Sequence, residues 1–223
     1  MDSFDKRIWS PVGSRPHIEI PAAPAVAELA AAYTAQAAAW WAEHDDPRDF
    51  HAIVRPVAPE FLHLTAGWLD QLTATLAPGA FDTLHAVLTD RLADLEPFEV
   101  TVGPGIVGAV ALELYVAPIL QAAALAATVR GAIRDVFGAD AAPEPPPARP
   151  WRPHITAFYG AASFSTDALA SRVLCTLAPG EGCLITPVTM AVDAVLLVDQ
   201  DTWGPDGLAW NQDTARRIAL GAR

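Results

Sequence analysis

His63-Leu64-Thr65 and His154-Ile155-Thr156 are the residues of this chain whose types and spacing could do chemistry. Side chains two apart on a strand point to one face. Each tripeptide therefore aims an imidazole and a hydroxyl into the same space and buries the apolar residue between them. If the two units converge, one small anion meets two acid/base groups and two hydroxyl donors. An imidazole titrates near neutral pH, so it can take a proton from water or give one to a leaving alkoxide. Hydroxyls can donate to oxygens that gain negative charge. That is most of what is needed to open a phosphodiester without a metal.

The surroundings of the two units are alike. Each histidine follows an approach containing proline: Pro59-Glu60-Phe61-Leu62 before His63, and Arg149-Pro150-Trp151-Arg152-Pro153 before His154. Each is followed five positions later by an aromatic residue, Trp68 or Tyr159. The motifs lie 91 residues apart, one in each half of the chain, as a duplicated lobe would place them. His63 and His154 are the catalytic candidates. Thr65, Thr156, Trp68, Tyr159 and Arg152 are the candidate substrate contacts, Arg152 because a guanidinium suits bidentate contact with phosphate.

In these motifs, His63-Leu64-Thr65-Ala66 and His154-Ile155-Thr156-Ala157, the chain resembles the 2H phosphoesterase superfamily, the LigT-like or 2′-5′ RNA ligase family. Its signature is a pair of His-φ-Thr/Ser-φ motifs, φ being apolar. The resemblance runs from about residue 18 to about residue 220. It departs at Phe158-Tyr159, where the RNA cyclic phosphodiesterases of the family often carry a basic residue. The resemblance implies a two-lobed α+β, LigT-like fold, with antiparallel sheets around a central cleft and helices outside. It implies metal-independent hydrolysis of a 2′,3′-cyclic phosphate on an RNA end or nucleotide, with His63 as the acid and His154 as the base. The residues themselves do not order the two roles. The rival readings are the same chemistry on a cyclic dinucleotide or an ADP-ribose cyclic phosphate, and a non-catalytic nucleotide-binding module.

Charge narrows the partners. The chain has 223 residues, 52% hydrophobic and 18% charged, with a formal net charge of −12. That balance opposes duplex nucleic acid, whose affinity comes from Lys and Arg on phosphates. Lys6 is the only lysine among 14 basic residues, and the rest are arginine. A small nucleotide or an RNA end fits better. Cys175 and Cys183 suggest neither a disulfide framework nor a zinc site, and read as idle thiols in a reducing cytoplasm. No signal-peptide core opens the chain. The two apolar stretches, 22–42 and 105–129, are broken by Pro24, Glu28, Gln36, Glu113 and Pro118, so no membrane span is expected. No cofactor is implied.

The elements that must carry the motifs follow from periodicity. A short strand is expected at 17–20, and a helix at 24–41 with Val26, Leu29, Ala30, Tyr33, Ala37, Trp40 and Trp41 on its core side. Strands are expected at 52–56 and 61–69, a helix at 81–95, and a hairpin whose strands alternate through Phe98, Val100, Val102 and through Val110, Leu112, Leu114, Val116. A helix at 118–137 stops at Gly138. Residues 139–150 hold five prolines and read as an extended linker. It divides one two-lobed domain, 1–223, into lobes of about 16–138 and 151–223 that could exchange strands. Ser165 or Thr166 could cap a helix carrying Leu169, Val173, Leu174 and Leu177. Val188, Met190, Val192, Ala194, Leu196 and Val198 share one face by alternation. The order argues α+β with antiparallel sheets.

Other motifs carry less. Gly103-Pro104-Gly105-Ile106-Val107-Gly108 matches a dinucleotide fingerprint by letter, but a strand follows where a helix is required, so it reads as a hairpin turn. His44, Asp45, Asp46, Asp49 and His51 lack metal-ligand spacing and read as a solvated loop. His85 reads as a helix-flank residue, and His17 stays outside the site. No Gly-x-Ser-x-Gly elbow is present.

Overall fold

The computed structural model describes residues 13–43, 47–108, 110–142, 151–162, 164, 167, 169–170, 185–204 and 207–222. The loop at 44–46, most of the proline-rich linker, the cap at Ser165 or Thr166 with most of its helix, and both cysteines lie outside them.

The chain runs β1 (Arg15–Pro21), α1 (Pro24–Ala42), α2 (Phe50–Ile53), β2 (Val54–Pro56), β3 (His63–Trp68), α3 (Ala80–Leu92), β4 (Phe98–Val107), β5 (Ala111–Ala117), α4 (Ile119–Phe137), β6 (His154–Gly160), β7 (Val188–Val192), β8 (Ala194–Gly204), β9 (Gly207–Trp210) and β10 (Arg216–Ala219). Pro24 opens α1 in the first turn, where its missing N–H costs nothing. The seven apolar residues expected on its core side are all buried. Gly138, with φ +94°, ends α4 as expected.

The strands form one ten-stranded sheet, ordered β10-β8-β1-β3-β6-β5-β4-β7, with β2 beside β6 and β9 beside β8. Every ladder among the described residues is antiparallel. Helices α1 and α4 cover one face, α1 over β6 and β7, α4 over β3, while α3 packs on α4 and β10. Contact there is close. A Cβ on Gly67 of β3 would lie 2.7 Å from Val129 of α4. The main core fills this interface. A smaller apolar cluster of Val198, Leu208 and Trp210, with Phe61, Tyr159 and Leu196 against it, lies apart from the main core.

Four expectations need correction. Residues 50–53 are a helical turn before β2, because the Asp49 carboxylate accepts from the His51 N–H and caps it. Helix α3 ends at Leu92, three residues early. The alternation from Val188 to Val198 does not hold one face. Asp193 separates β7 from β8 and shifts the phase, so Met190 and Val192 share the main core with Val195 and Leu197. Leu196 and Val198 belong to the smaller cluster. At that point the chain passes from one end of the strand order towards the other, so the sheet is curled, and Asp193 O accepts from the Leu220 N–H at 2.8 Å. Finally, Gly103 to Gly105 lie within β4, and the turn comes after Val107. Gly105 is there because a Cβ would stand 2.8 Å from the ring of Tyr33, whose hydroxyl accepts from the Gly105 N–H.

Among the described residues no helix is long and apolar enough to cross a membrane.

Candidate active site

The motif strands are neighbours. Strands β3 and β6 pair antiparallel through the central residues of the two motifs, Leu64 opposite Ile155. Both central residues are buried in the main core. The flanking residues must then point to the opposite face, with His63 across from Thr156 and Thr65 across from His154. This places the two histidines on a diagonal, with Cα atoms about 7–8 Å apart by ordinary cross-strand geometry. The expected convergence of His63, Thr65, His154 and Thr156 is therefore what the sheet builds.

The outer neighbours repeat the arrangement. Pairing of β1 with β3 runs His17–Trp68 and Ile18–Gly67, then Glu19–Thr65, Ile20–Leu64 and Pro21–His63. Pairing of β5 with β6 runs Ala111–Tyr159 and Leu112–Phe158, then Glu113–Thr156, Leu114–Ile155 and Tyr115–His154. The registers match pair for pair, including one extra residue, Ala66 or Ala157. Such a bulge shifts the alternation by one. At Tyr159 it returns the aromatic five residues after His154 to the histidines' face, where strict alternation would turn it away.

Each register also puts a glutamate beside a threonine. Glu19 is fully buried, and its Oε2 stands 3.3 Å from His63 Nε2. Burial pushes its carboxyl well above the usual carboxylate range, and the Thr65 hydroxyl offsets part of this. Glu113 Oε1 is 3.8 Å from His154 Nε2, and its other oxygen is paired with the Arg152 guanidinium. The histidines share one local device. His63 Nδ1 donates to the Phe61 carbonyl at 2.7 Å, and His154 Nδ1 donates to the Arg152 carbonyl at 2.8 Å. A carbonyl only accepts, so both Nδ1 atoms carry hydrogen and both Nε2 atoms are the working nitrogens. Their exposure differs: His63 is 9% exposed and His154 40%.

Tyr159 lies between the two carboxylates. Burial pushes its hydroxyl up to about 12, Thr156 partly offsets this, and the charges of Glu19 and Glu113 add to it. It therefore stays a neutral donor at physiological pH. Trp210 of β9 sets its ring 5.4 Å from His63 and 4.9 Å from Phe61, which walls that side with apolar surface. Arg152 is at the site through Glu113. Trp68 is not brought to the His63 ring. It is 47% exposed, its indole N–H donates to Asp70, and it lines a separate cavity with Trp151 and Arg130. His17 sits opposite Trp68 with Nδ1 on the Arg15 carbonyl.

Glu19, Glu113 and Trp210 were missed by motif reading. Two signals were present. Glu19 is the polar residue between Ile18 and Ile20, and Glu113 is the single charge in the apolar run 105–129. Nothing in the sequence marks Trp210, which arrives from a strand far along the chain. Among the described residues no group of three or more His, Cys, Asp or Glu is placed to hold a metal ion.

Known proteins give a consistent picture. The family model described as the 2′-5′ RNA ligase superfamily matches residues 21–202. The fold is similar to the crystal structure of TT0787 of Thermus thermophilus (20% identity, 94% of this chain and 99% of that one, TM-score 0.61). It is also similar to E. coli LigT complexed with 3′-AMP (20% identity, 93% and 98%, TM-score 0.56) and with NADP+ (21% identity, 93% and 98%, TM-score 0.53). No curated protein matches the chain.

Proposed function

Because the chain belongs to the 2′-5′ RNA ligase superfamily of 2H phosphoesterases, we propose that it is a metal-independent phosphodiesterase that hydrolyses a 2′,3′-cyclic phosphate on a nucleotide or RNA end. The observation that carries this reading is the pairing of Leu64 with Ile155, which turns two His/Thr pairs to one face of the sheet. Water attacks phosphorus, and one P–O bond to the ribose breaks. His154 Nε2 takes the proton of the water, and His63 Nε2 gives one to the departing ribose oxygen. Thr65 and Thr156 donate to the non-bridging oxygens, where charge builds in the transition state. Tyr159, held neutral beside Thr156, is a third donor on that face. Arg152 borders the phosphate position, but Glu113 takes up part of its charge.

A compact substrate is favoured over an extended RNA. Glu19 and Glu113 face the site, and the chain carries −12. Further phosphates would meet repulsion instead of a basic groove. This supports, as a second reading, the same chemistry on a cyclic dinucleotide or an ADP-ribose cyclic phosphate. LigT structures hold 3′-AMP or ATP, and a small nucleotide is the substrate class proposed here for this chain.

The test is turnover of a panel of nucleoside 2′,3′-cyclic phosphates, short RNAs with cyclic ends, cyclic dinucleotides and ADP-ribose cyclic phosphate, each with excess EDTA. Hydrolysis of at least one 2′,3′-cyclic phosphate, unchanged by chelation, is expected. Loss on chelation and rescue by a divalent ion would overturn the two-histidine mechanism. Binding without turnover of any member would leave a nucleotide-binding module.

A further inference from the structure

We propose that Glu19 is the positioning residue that keeps a proton on His63, so that two chemically alike histidines divide into one donor and one acceptor. The inference rests on the two-histidine reading above.

His63 Nδ1 is committed to the Phe61 carbonyl, so only Nε2 can change its proton, and Nε2 faces Glu19 Oε2 at 3.3 Å. Glu19 is fully buried, and neither carboxyl oxygen makes a well-aligned hydrogen bond to protein. A nitrogen lone pair against a buried carboxylate is unfavourable for both groups, and water cannot reach in to screen them. A proton on Nε2 removes the conflict, because it turns the lone pair into a donor facing the carboxylate. The pair therefore retains a proton at neutral pH. A departing alkoxide can draw that proton from Nε2.

On the other side the same position is disarmed. Glu113 stands opposite Thr156 as Glu19 stands opposite Thr65. Its nearest approach to His154 Nε2 is 3.8 Å, beyond hydrogen-bond reach, and Arg152 holds its other oxygen. No carboxylate among the described residues stands within hydrogen-bond reach of His154 Nε2. The asymmetry traces to the residue two before each histidine. Both supply the carbonyl that fixes Nδ1, but Arg152 adds a cation that engages its glutamate, and Phe61 adds an apolar ring packed on Trp210. Among the described residues, Glu19 from β1 stands at His63 Nε2; Tyr159 and His154 of β6 share its face of the sheet, with Glu113 of β5 and its Arg152 beside His154 and Arg55 of β2 opposite Tyr159. Strands β8 and β9 bring the apolar Val198 and Trp210.

The experiment follows the His63 imidazole by NMR across pH in the full-length protein, in wild type, Glu19→Gln and Glu113→Gln, with kcat/KM measured on the same samples. The wild-type His63 midpoint should lie above that of a free imidazole, about 6.5. Glu19→Gln should lower it by about one unit or more, as loss of an adjacent opposite charge does. The alkaline limb of kcat/KM should fall with it, while Glu113→Gln leaves the His63 midpoint in place. A wild-type midpoint at or below the free value overturns the proposal even if Glu19→Gln fails to fold. So does an unmoved midpoint in a folded Glu19→Gln protein. Turnover with an unmoved midpoint removes the role of Glu19 alone. A moved midpoint in a protein that hydrolyses no cyclic phosphate upholds the pair and overturns the reaction.

Discussion

At the scale of single residues the two histidines and two threonines have separable tasks. His63→Ala or His154→Ala removes a proton-transfer group and should lower kcat by about 10²–10⁴-fold. Thr65→Val or Thr156→Val removes one donor to a charged oxygen, about 1.5–3 kcal/mol, and should lower kcat by roughly 10–10²-fold. Circular dichroism should change little in any of the four, and melting temperature should change little for all but His63→Ala, which removes the partner of the buried Glu19 and should lower it. Steady-state kinetics on the best cyclic phosphate of the panel checks both ranges. Wild-type rates in both histidine variants would remove them from the chemistry. These four residues were legible in the sequence because their meaning is local: a two-residue spacing on a strand fixes a face. Glu19 was not, because its meaning depends on which strand lies beside β1, and a lone glutamate in an alternating strand reads equally well as a solvated residue.

At the scale of elements, what holds the motif strands is the fit of helices behind them. Gly67 is tight against α4, with Val129 Cγ1 2.7 Å from where a Cβ would sit. Valine in a helix is stiff at χ1 and cannot swing away. Gly67→Ala should therefore press β3 off α4 and cost about 1–3 kcal/mol, read as a lower melting temperature and urea midpoint. An unchanged midpoint would mean that the strand and helix are not in such close contact. Elements with a long, clean period were predictable: α1 buries the face its sequence marks. The bulges at Ala66 and Ala157 and the phase shift at Asp193 were not. Each is a single-residue irregularity fixed by partner strands distant in sequence. The same limit hid the placement of the Gly103 to Gly105 stretch inside β4, where Tyr33 of α1 requires a glycine.

At the scale of the whole molecule, one curled sheet sets the matched β1–β3 and β5–β6 registers side by side. The sequence repeats little beyond the two motifs, since backbone register constrains only a few side chains. The buried carboxyl makes stability depend on pH. The native value of Glu19 stands above its unfolded one, so the folded chain binds that proton more tightly. Its contribution is fully present below the ordinary carboxylate range and is lost as pH rises through the raised native value. Wild-type melting temperature should therefore fall relative to Glu19→Gln between mildly acidic and alkaline pH, and calorimetry of the two proteins across that range checks the sign. The central claim, that two histidines sharing one face act as an acid and a base on one phosphate, is tested most directly by the pH dependence of kcat/KM for a 2′,3′-cyclic phosphate. One imidazole must enter neutral and the other charged, and the limbs belong to the coupled pair. A bell centred near neutrality is predicted, with one limb lost when either histidine is replaced. A profile flat from about pH 5 to 9, with chemistry established as rate-limiting, would contradict it.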